Sequence, residues 1–283
     1  MIDRLHTLPV SVCIPVRNEE VNLPGCLERL QDFDEIVVVD SDSQDKTVEI
    51  AFKAGAKVLQ FQWDGSFPKK RNWALKNHIF KHPWILFLDA DERMSPEFVA
   101  ELRATLPTTN HSGFWISFTN WFMGKPLHYG DVFRKLALIR MGTGEYERFP
   151  EVSWTDLDME VHEHPILSGS IGVLSSRLEH HDFRRLKNYL DRHNEYSSWE
   201  ATRFLWLEEA GEKAWKVLNP RQQFKYRHLD KWWFAWVYWV LAVIVKRGIF
   251  DGTSGWRLAG LKRRYFQEVR LKIMEAKRTG GKA

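Results

Sequence analysis

"WILFLDADERM", residues 84 to 94, runs five apolar residues straight into three acids, Asp89, Asp91 and Glu92. A short, continuously apolar run reads as a strand buried on both faces. Carboxylates gathered at the tip of such a strand repel one another unless something positive sits between them. On a strand, residues i and i+2 point to the same side, so Asp89 and Asp91 are expected to converge. A divalent cation would neutralise them, and oxygen ligands suit Mg²⁺ or Mn²⁺.

The flanking stretches extend this reading to a fold. "SVCIPV" (11–16), "EIVVVD" (35–40) and "KVLQF" (57–61) are further apolar strands. Between them, "NEEVNLPGCLERLQ", "DKTVEIAFKAG" and "PKKRNWALKNHIF" carry helical spacing, and "SPEFVAELRATL" follows with Ser95 as N-cap and Pro96 at the first helical position. Alternation of apolar strands with helices predicts an α/β fold on a mainly parallel sheet covered on both faces. Ligands of such sheets bind beyond the carboxyl ends of the strands. Glu19, Asp42, Asp89 and Asp91 all fall at or just past those ends. From Ser112 the rhythm changes. "GFWISFTNWFMG", "FRKLALIRM" and "GSIGVLSSRLEHH" read as longer strands, and "RRLKNYLDRHNEYSSWEATRFL" as a long helix.

The bulk numbers exclude several classes. Of 283 residues, 44% are apolar and 28% charged, which allows a sizeable core and argues against disorder. Two cysteines, Cys13 and Cys26, without zinc spacing point to a reducing compartment, and "MIDRLHTLPV" has no apolar signal region. No P-loop, G-x-G-x-x-G or H-E-x-x-H occurs, which weakens kinase, dehydrogenase and zincin readings.

Charge and aromatics are concentrated at the C-terminus. Residues 246–283 hold 11 Lys/Arg against 3 Asp/Glu, a net +8 that leaves −4 for the rest of a chain totalling +4. "WWFAWVYWVLAVIV" (232–245) has no charge, but its 14 residues fall short of the ~20 needed to span a bilayer. Lys231 before it and Lys246 and Arg247 after it suit an interfacial segment. Beyond it, Leu258, Leu261, Tyr265, Phe266, Val269 and Ile273 share one helical face with Lys/Arg on the other. These helices are expected to rest on a membrane surface. A nucleic-acid binder is the competing reading of the basic tail, but the basic residues interleave with an apolar face rather than line a polar groove. A non-catalytic scaffold is a further alternative, opposed by the intact D-A-D.

Four stretches in order, "SVCIPVRNEEVNLPGCLERL", "VVVDSDSQDKTVEIA", "KKRNWAL" and "ILFLDADE", resemble the family 2 glycosyltransferases of GT-A, nucleotide-diphospho-sugar transferase fold. "VHEHP" (161–165), "LEHHDFRRLKNYL" (178–190) and "IFDGTSGW" (249–256) are similar to the lipopolysaccharide-core β-1,4-glucosyltransferase branch. The resemblance implies an inverting, metal-dependent enzyme moving glucose or a related hexose from a UDP-sugar to a lipid-linked or lipopolysaccharide saccharide. A polyprenyl-phosphate sugar transferase, or an exopolysaccharide or protein glycosyltransferase, is the alternative on the same fold. It places the enzyme peripherally on the cytoplasmic face of the inner membrane, with no nucleic-acid partner; an oligomer is possible. Pro15, Arg17 and Glu19 then match the loop around the nucleoside, and Asp40, Asp42 or both the uracil contact. Lys69 and Arg71 match the basic segment near the diphosphate, Asp89 the ribose or metal, and Asp91 the metal. An inverting transfer also needs a carboxylate base, worth about 10²–10⁴-fold. The match favours Glu163, with Asp158 and Glu160 as further candidates and His162 beside the metal or diphosphate. The branch has a His followed by an aromatic where this chain has His180 and His181. The implied organisation is a transferase domain over 1–225, split into a nucleotide-binding half (10–110) and an acceptor half (111–225). A helical membrane-associated extension follows over 226–283. Donor and acceptor choice is expected in the loops 121–130 and 142–160.

Overall fold

The computed structural model describes residues 7–130, 132–148, 164–181 and 186–280. The chain forms two compact units. One takes Met1–Trp121 and Val132–Phe183, the other Phe122–Asp131 and Arg184–Ala283.

The first unit opens with the alternation expected: β1 (Val10–Val16), α1 (Leu23–Leu27), β2 (Ile36–Asp40), α2 (Thr47–Lys53), β3 (Lys57–Gln60), α3 (Lys70–Asn77) and β4 (Trp84–Phe87). A two-residue β5 (Glu92–Arg93), α4 (Pro96–Thr105) and β6 (Gly113–Phe122) follow. β7 (Lys125–Leu127) falls in the second unit, and β8 (Arg134–Arg140), β9 (Gly144–Tyr146), β10 (Pro165–Leu167) and β11 (Ile171–His180) in the first. Among the described residues, eight strands of one nine-stranded sheet run in the order β3-β2-β1-β4-β8-β6-β11-β5. The β3-β2-β1-β4 half is parallel, as is the β6–β11 pair, while β8 runs antiparallel to both its neighbours.

Every residue of β1 is buried. Side-chain alternation then builds two cores. Val12, Ile14, Val38 and Leu86 pack with Phe98 and Leu102 of α4, and Cys13, Val37, Val39, Ile85 and Phe87 pack with Ala74 of α3. Each large apolar side chain buried this way contributes about 1.5–3 kcal/mol. Pro15 sits in the middle of the sheet without a ladder penalty. Odd-numbered residues of β1 face β4, and that pairing ends at Cys13↔Phe87, so the missing N–H falls beyond the last rung. Ser95 caps α4 as expected, its side chain accepting from the Phe98 N–H at 3.2 Å. The first helix is shorter than its sequence suggests. Residues 18–22 are drawn into loop bonds instead, with Asn18 at a left-handed φ of 55°.

The second unit is helical: α5 (Leu186–Ala210), α6 (Glu212–Val217), α7 (Pro220–His228), α8 (Phe234–Val240) and α9 (Gly252–Thr279). A capping box of Asn219 and Gln222 starts α7. Ala201, Phe204 and Leu207 of α5 form a core with Tyr226, Phe234, Val269 and Ile273. The compact units part at 183/184, because α5 shares its apolar side with α9, while the sequence suggests that the extension begins at residue 226.

Candidate active site

The loops past β1 and β2 are stitched together by hydrogen bonds. The Asn18 N–H donates to Ser43 Oγ at 2.8 Å and the Gln44 N–H to Asn18 Oδ1 at 2.8 Å. The Glu19 N–H donates to Thr47 Oγ1 at 2.7 Å, and Glu20 and residues 45–46 exchange two more bonds. This knitting separates Asp40 from Asp42. Asp40 is buried, and its two oxygens accept from the Ser43 N–H at 3.1 Å and the Ser43 hydroxyl at 2.5 Å. Asp42 stands exposed at the loop tip with a φ of 53°. Arg17 is exposed, and the Glu19 carboxylate accepts from Asn22 Nδ2 at 2.7 Å.

Asp89 and Asp91 lie just past β4, but not as a strand pair. β4 ends at Phe87, and the chain turns, the Glu92 N–H donating to Asp89 O at 2.9 Å. The i, i+2 argument stops applying there, and the two acids take different partners. Asp89 Oδ1 accepts from Arg71 at 2.7 Å and Oδ2 from Lys135 Nζ at 2.9 Å. Lys135 also reaches both oxygens of the buried Glu92 at 2.9 Å, and Glu92 accepts from the Asp89 N–H at 2.8 Å. Burial would raise the Asp89 pKa, but Lys135 and Arg71 outweigh it and hold the carboxyl well below the usual range. Glu92 goes the other way. Burial lifts it to about 7, with the Asp89 charge adding and Lys135 opposing. Burial disfavours the Lys135 charge, yet Asp89 and Glu92 together raise its pKa.

Asp91 faces the other side. Its Oδ2 lies 3.3 Å from His180 Nε2, and its backbone oxygen accepts from the His181 N–H at 2.7 Å. The short β5 produces this meeting, since Glu92 registers opposite His180 on β11. His180 Nδ1 is 3.3 Å from Asn120 Oδ1. A carboxylate and an imidazole side by side are a donor set that fits a divalent cation. Among the described residues, no three His, Cys, Asp or Glu side chains gather as a metal cluster. His181 takes the place of the branch's aromatic and behaves like one. It stacks on Trp121 with ring centroids 4.7 Å apart and pairs with Glu179 at 2.5 Å.

The basic segment is also resolved residue by residue. Lys69 is the half-buried N-cap residue of α3. Lys70, not singled out by sequence, is buried and donates to Val16 O at 3.0 Å. Arg71 lies over the Tyr146 ring at 5.5 Å and is committed to Asp89. The candidate bases Glu163, Asp158 and Glu160, and the candidate ligand His162, lie outside the described residues.

Comparison with known proteins gives the family. The model described as glycosyl transferase family 2 matches residues 11–143. LpsC of Rhizobium meliloti, a lipopolysaccharide core biosynthesis glycosyltransferase, is 30% identical over 203 residues, 69% of this chain and 71% of its own. A TPR repeat-containing protein of Synechococcus elongatus is 44% identical over 98 residues, 34% of this chain, and the match spans only 24% of that relative. Among solved structures, Staphylococcus aureus TarS 1–349 in complex with UDP-GlcNAc is 19% identical, covering 96% of this chain and 92% of that one with a TM-score of 0.49. At a TM-score below 0.5 that likeness carries no argument. The family model and the LpsC match lead to one conclusion: the chain belongs to glycosyl transferase family 2.

Proposed function

We propose that this chain is an inverting, metal-dependent glycosyltransferase. It moves glucose or a related hexose from a UDP-sugar to a lipid-linked or lipopolysaccharide-core saccharide, at the cytoplasmic face of the inner membrane. The observation that carries the reading is the set of acids past the parallel strands on either side of β1, Asp42 after β2 and Asp89 and Asp91 after β4, in a chain of this family. The name of LpsC supports the acceptor class.

Each residue then has a task. Asp42, exposed on a loop braced by Asp40 and Asn18, accepts from the uracil. Pro15, Arg17 and Glu19 border the nucleoside, and Lys69 lies toward the diphosphate. Asp91 and His180 would hold the divalent cation, and His162 stays a candidate further ligand. When bound, the cation neutralises charge on the departing UDP. Asp89 orients the ribose side of the donor and is itself positioned by Arg71, Lys135 and Glu92. A carboxylate of residues 158–163, Glu163 first, takes the acceptor hydroxyl proton as that oxygen attacks C1.

The test is UDP release from UDP-hexoses with core-truncated lipopolysaccharide as acceptor, with and without Mn²⁺. Acceptor-dependent release that stops in excess EDTA and in Asp91→Asn supports the proposal. Full turnover in excess chelator overturns the metal assignment, and no release from any UDP-hexose overturns the donor.

A further inference from the structure

The second unit carries an apolar surface that sugar transfer does not use. Trp236, Val237, Val240, Leu241, Ile244 and Val245 recur at helical spacing along α8 and the π-helical turn Leu241–Val245. Each of them is at least 40% exposed, and Ile249, Phe250 and Trp256 continue the surface beyond the turn at 50–70%. The opposite side of the same segment is already occupied. Ala242 and Val243 are buried with Ala259, against Tyr238 and Trp239. The helix is therefore apolar on two sides, and among the described residues one of them is packed in an apolar core while the other is largely exposed. Contiguous exposed apolar surface of this kind marks an interaction site.

The surface is held in shape from within the same unit. The Asp251 carboxylate accepts from the backbone N–H groups of His128 and Tyr129, both at 2.9 Å. The Gly130 N–H donates to Lys246 O at 2.8 Å, and the Tyr129 ring lies 5.7 Å from that of Phe250. At Gly248 an added Cβ would fall 2.7 Å from Ala242 O and 3.3 Å from Gly130 Cα, so the close turn requires glycine. "IFDGTSGW" is thus the motif that builds a braced tip presenting Ile249, Phe250 and Trp256 outward.

We infer that this tip docks on an anionic lipid surface. Lys231, Lys246, Arg247 and Arg257 rim it, all exposed, and Arg263 lies over the Trp236 ring at 4.1 Å. Tryptophans and cations around an aliphatic patch match the headgroup boundary of a bilayer. A second copy of the chain fits less well, because isologous packing would face Lys246 and Arg247 with like charges. No described helix is long and apolar enough to cross a membrane. The contact inferred is with the membrane surface. It differs from the contact expected from the spacing in α9, since Val269 and Ile273 of that stripe are core residues. The inference deepens the membrane side of the proposed function and stands apart from its sugar chemistry.

Flotation of the full-length protein with neutral and with phosphatidylglycerol-containing vesicles, no sugar nucleotide present, tests it. The wild type is expected to float with anionic vesicles and to be released only in part by high salt. Val245→Asp/Phe250→Asp, at exposed positions and with an unchanged circular dichroism spectrum and melting temperature, is expected to bind at least ~10-fold more weakly, from the lost apolar burial. A wild type that stays with the soluble fraction at low salt overturns the inference, as does a double variant that floats equally well. A lipid-free wild type that self-associates, and becomes monomeric in the double variant, assigns the surface to a second copy and overturns the inference too. UDP binding is not part of any arm, so failure here leaves the transferase reading standing.

Discussion

At the carboxyl ends of β1, β2 and β4 this chain buries charge, whereas at the tip of its C-terminal helices it exposes Trp, Phe and Ile. Both reverse the usual sorting of side chains. Near the strand ends the charges have named partners: half-buried Asp89 with Arg71 and Lys135, buried Glu92 with Lys135, buried Lys70 with a backbone carbonyl. Such networks fix geometry more than they add stability. At the tip, Ile249, Phe250 and Trp256 remain at least half exposed. The difference teaches that the first region is organised for a small polar ligand and the second for a broad apolar surface. Burial of charge alone does not mark a site. The second unit pairs buried Glu200 with Lys225 at 2.6 Å, among core aromatics and far along the chain from the strand ends.

The comparison can be broken at either end. The largest expected effect is Lys135→Met, which leaves Glu92 buried without its cation and costs about 3–5 kcal/mol in urea unfolding. A loss below ~1 kcal/mol, the size of a surface pair, would show that the network is not structural. Next comes a contrast within the helical unit. Ile273→Ala opens the core and costs about 2–5 kcal/mol, whereas Phe250→Ser at the tip stays within about ±0.5 kcal/mol. Equal costs would mean that the tip is packed in solution. Smaller still, Asp42→Ala weakens UDP binding by about 1–3 kcal/mol by calorimetry, with stability unchanged. Asp40→Ala does the reverse, because the carboxylate it removes holds the Ser43 turn. Weaker UDP binding in Asp40→Ala alone would exchange the two roles.

Much of the sheet was legible because its strands are continuously apolar and its helices carry caps such as Ser95. Asp89 and Asp91 were legible from their place after such a strand, but the convergence expected of them does not occur. The strand ends at Phe87, and the turn that follows splits them between Lys135 and His180. Lys135 could not be read from spacing. It arrives from β8, whose antiparallel register, Leu86↔Leu138, places it opposite Asp89 when carried on by three residues. His180 likewise needs the β5–β11 pairing. Asp40 and Asp42 carry the same chemistry in sequence, and only the left-handed turn tells them apart. In α9 the periodicity was correct but its direction was not, since a stripe of Val269 and Ile273 serves a core as readily as a membrane.

The central claim is that the strand ends of the first unit bind a nucleoside diphosphate together with a divalent cation. Thermal melting of the whole protein with UDP tests it most directly, in Mn²⁺, in EDTA, and with Asp91→Asn. A ligand at 100 times its Kd stabilises the native state by about 2.7 kcal/mol. The account predicts a raised melting temperature with UDP and Mn²⁺, lost in EDTA and in Asp91→Asn. The same rise in EDTA, or none with any nucleoside diphosphate, would contradict it.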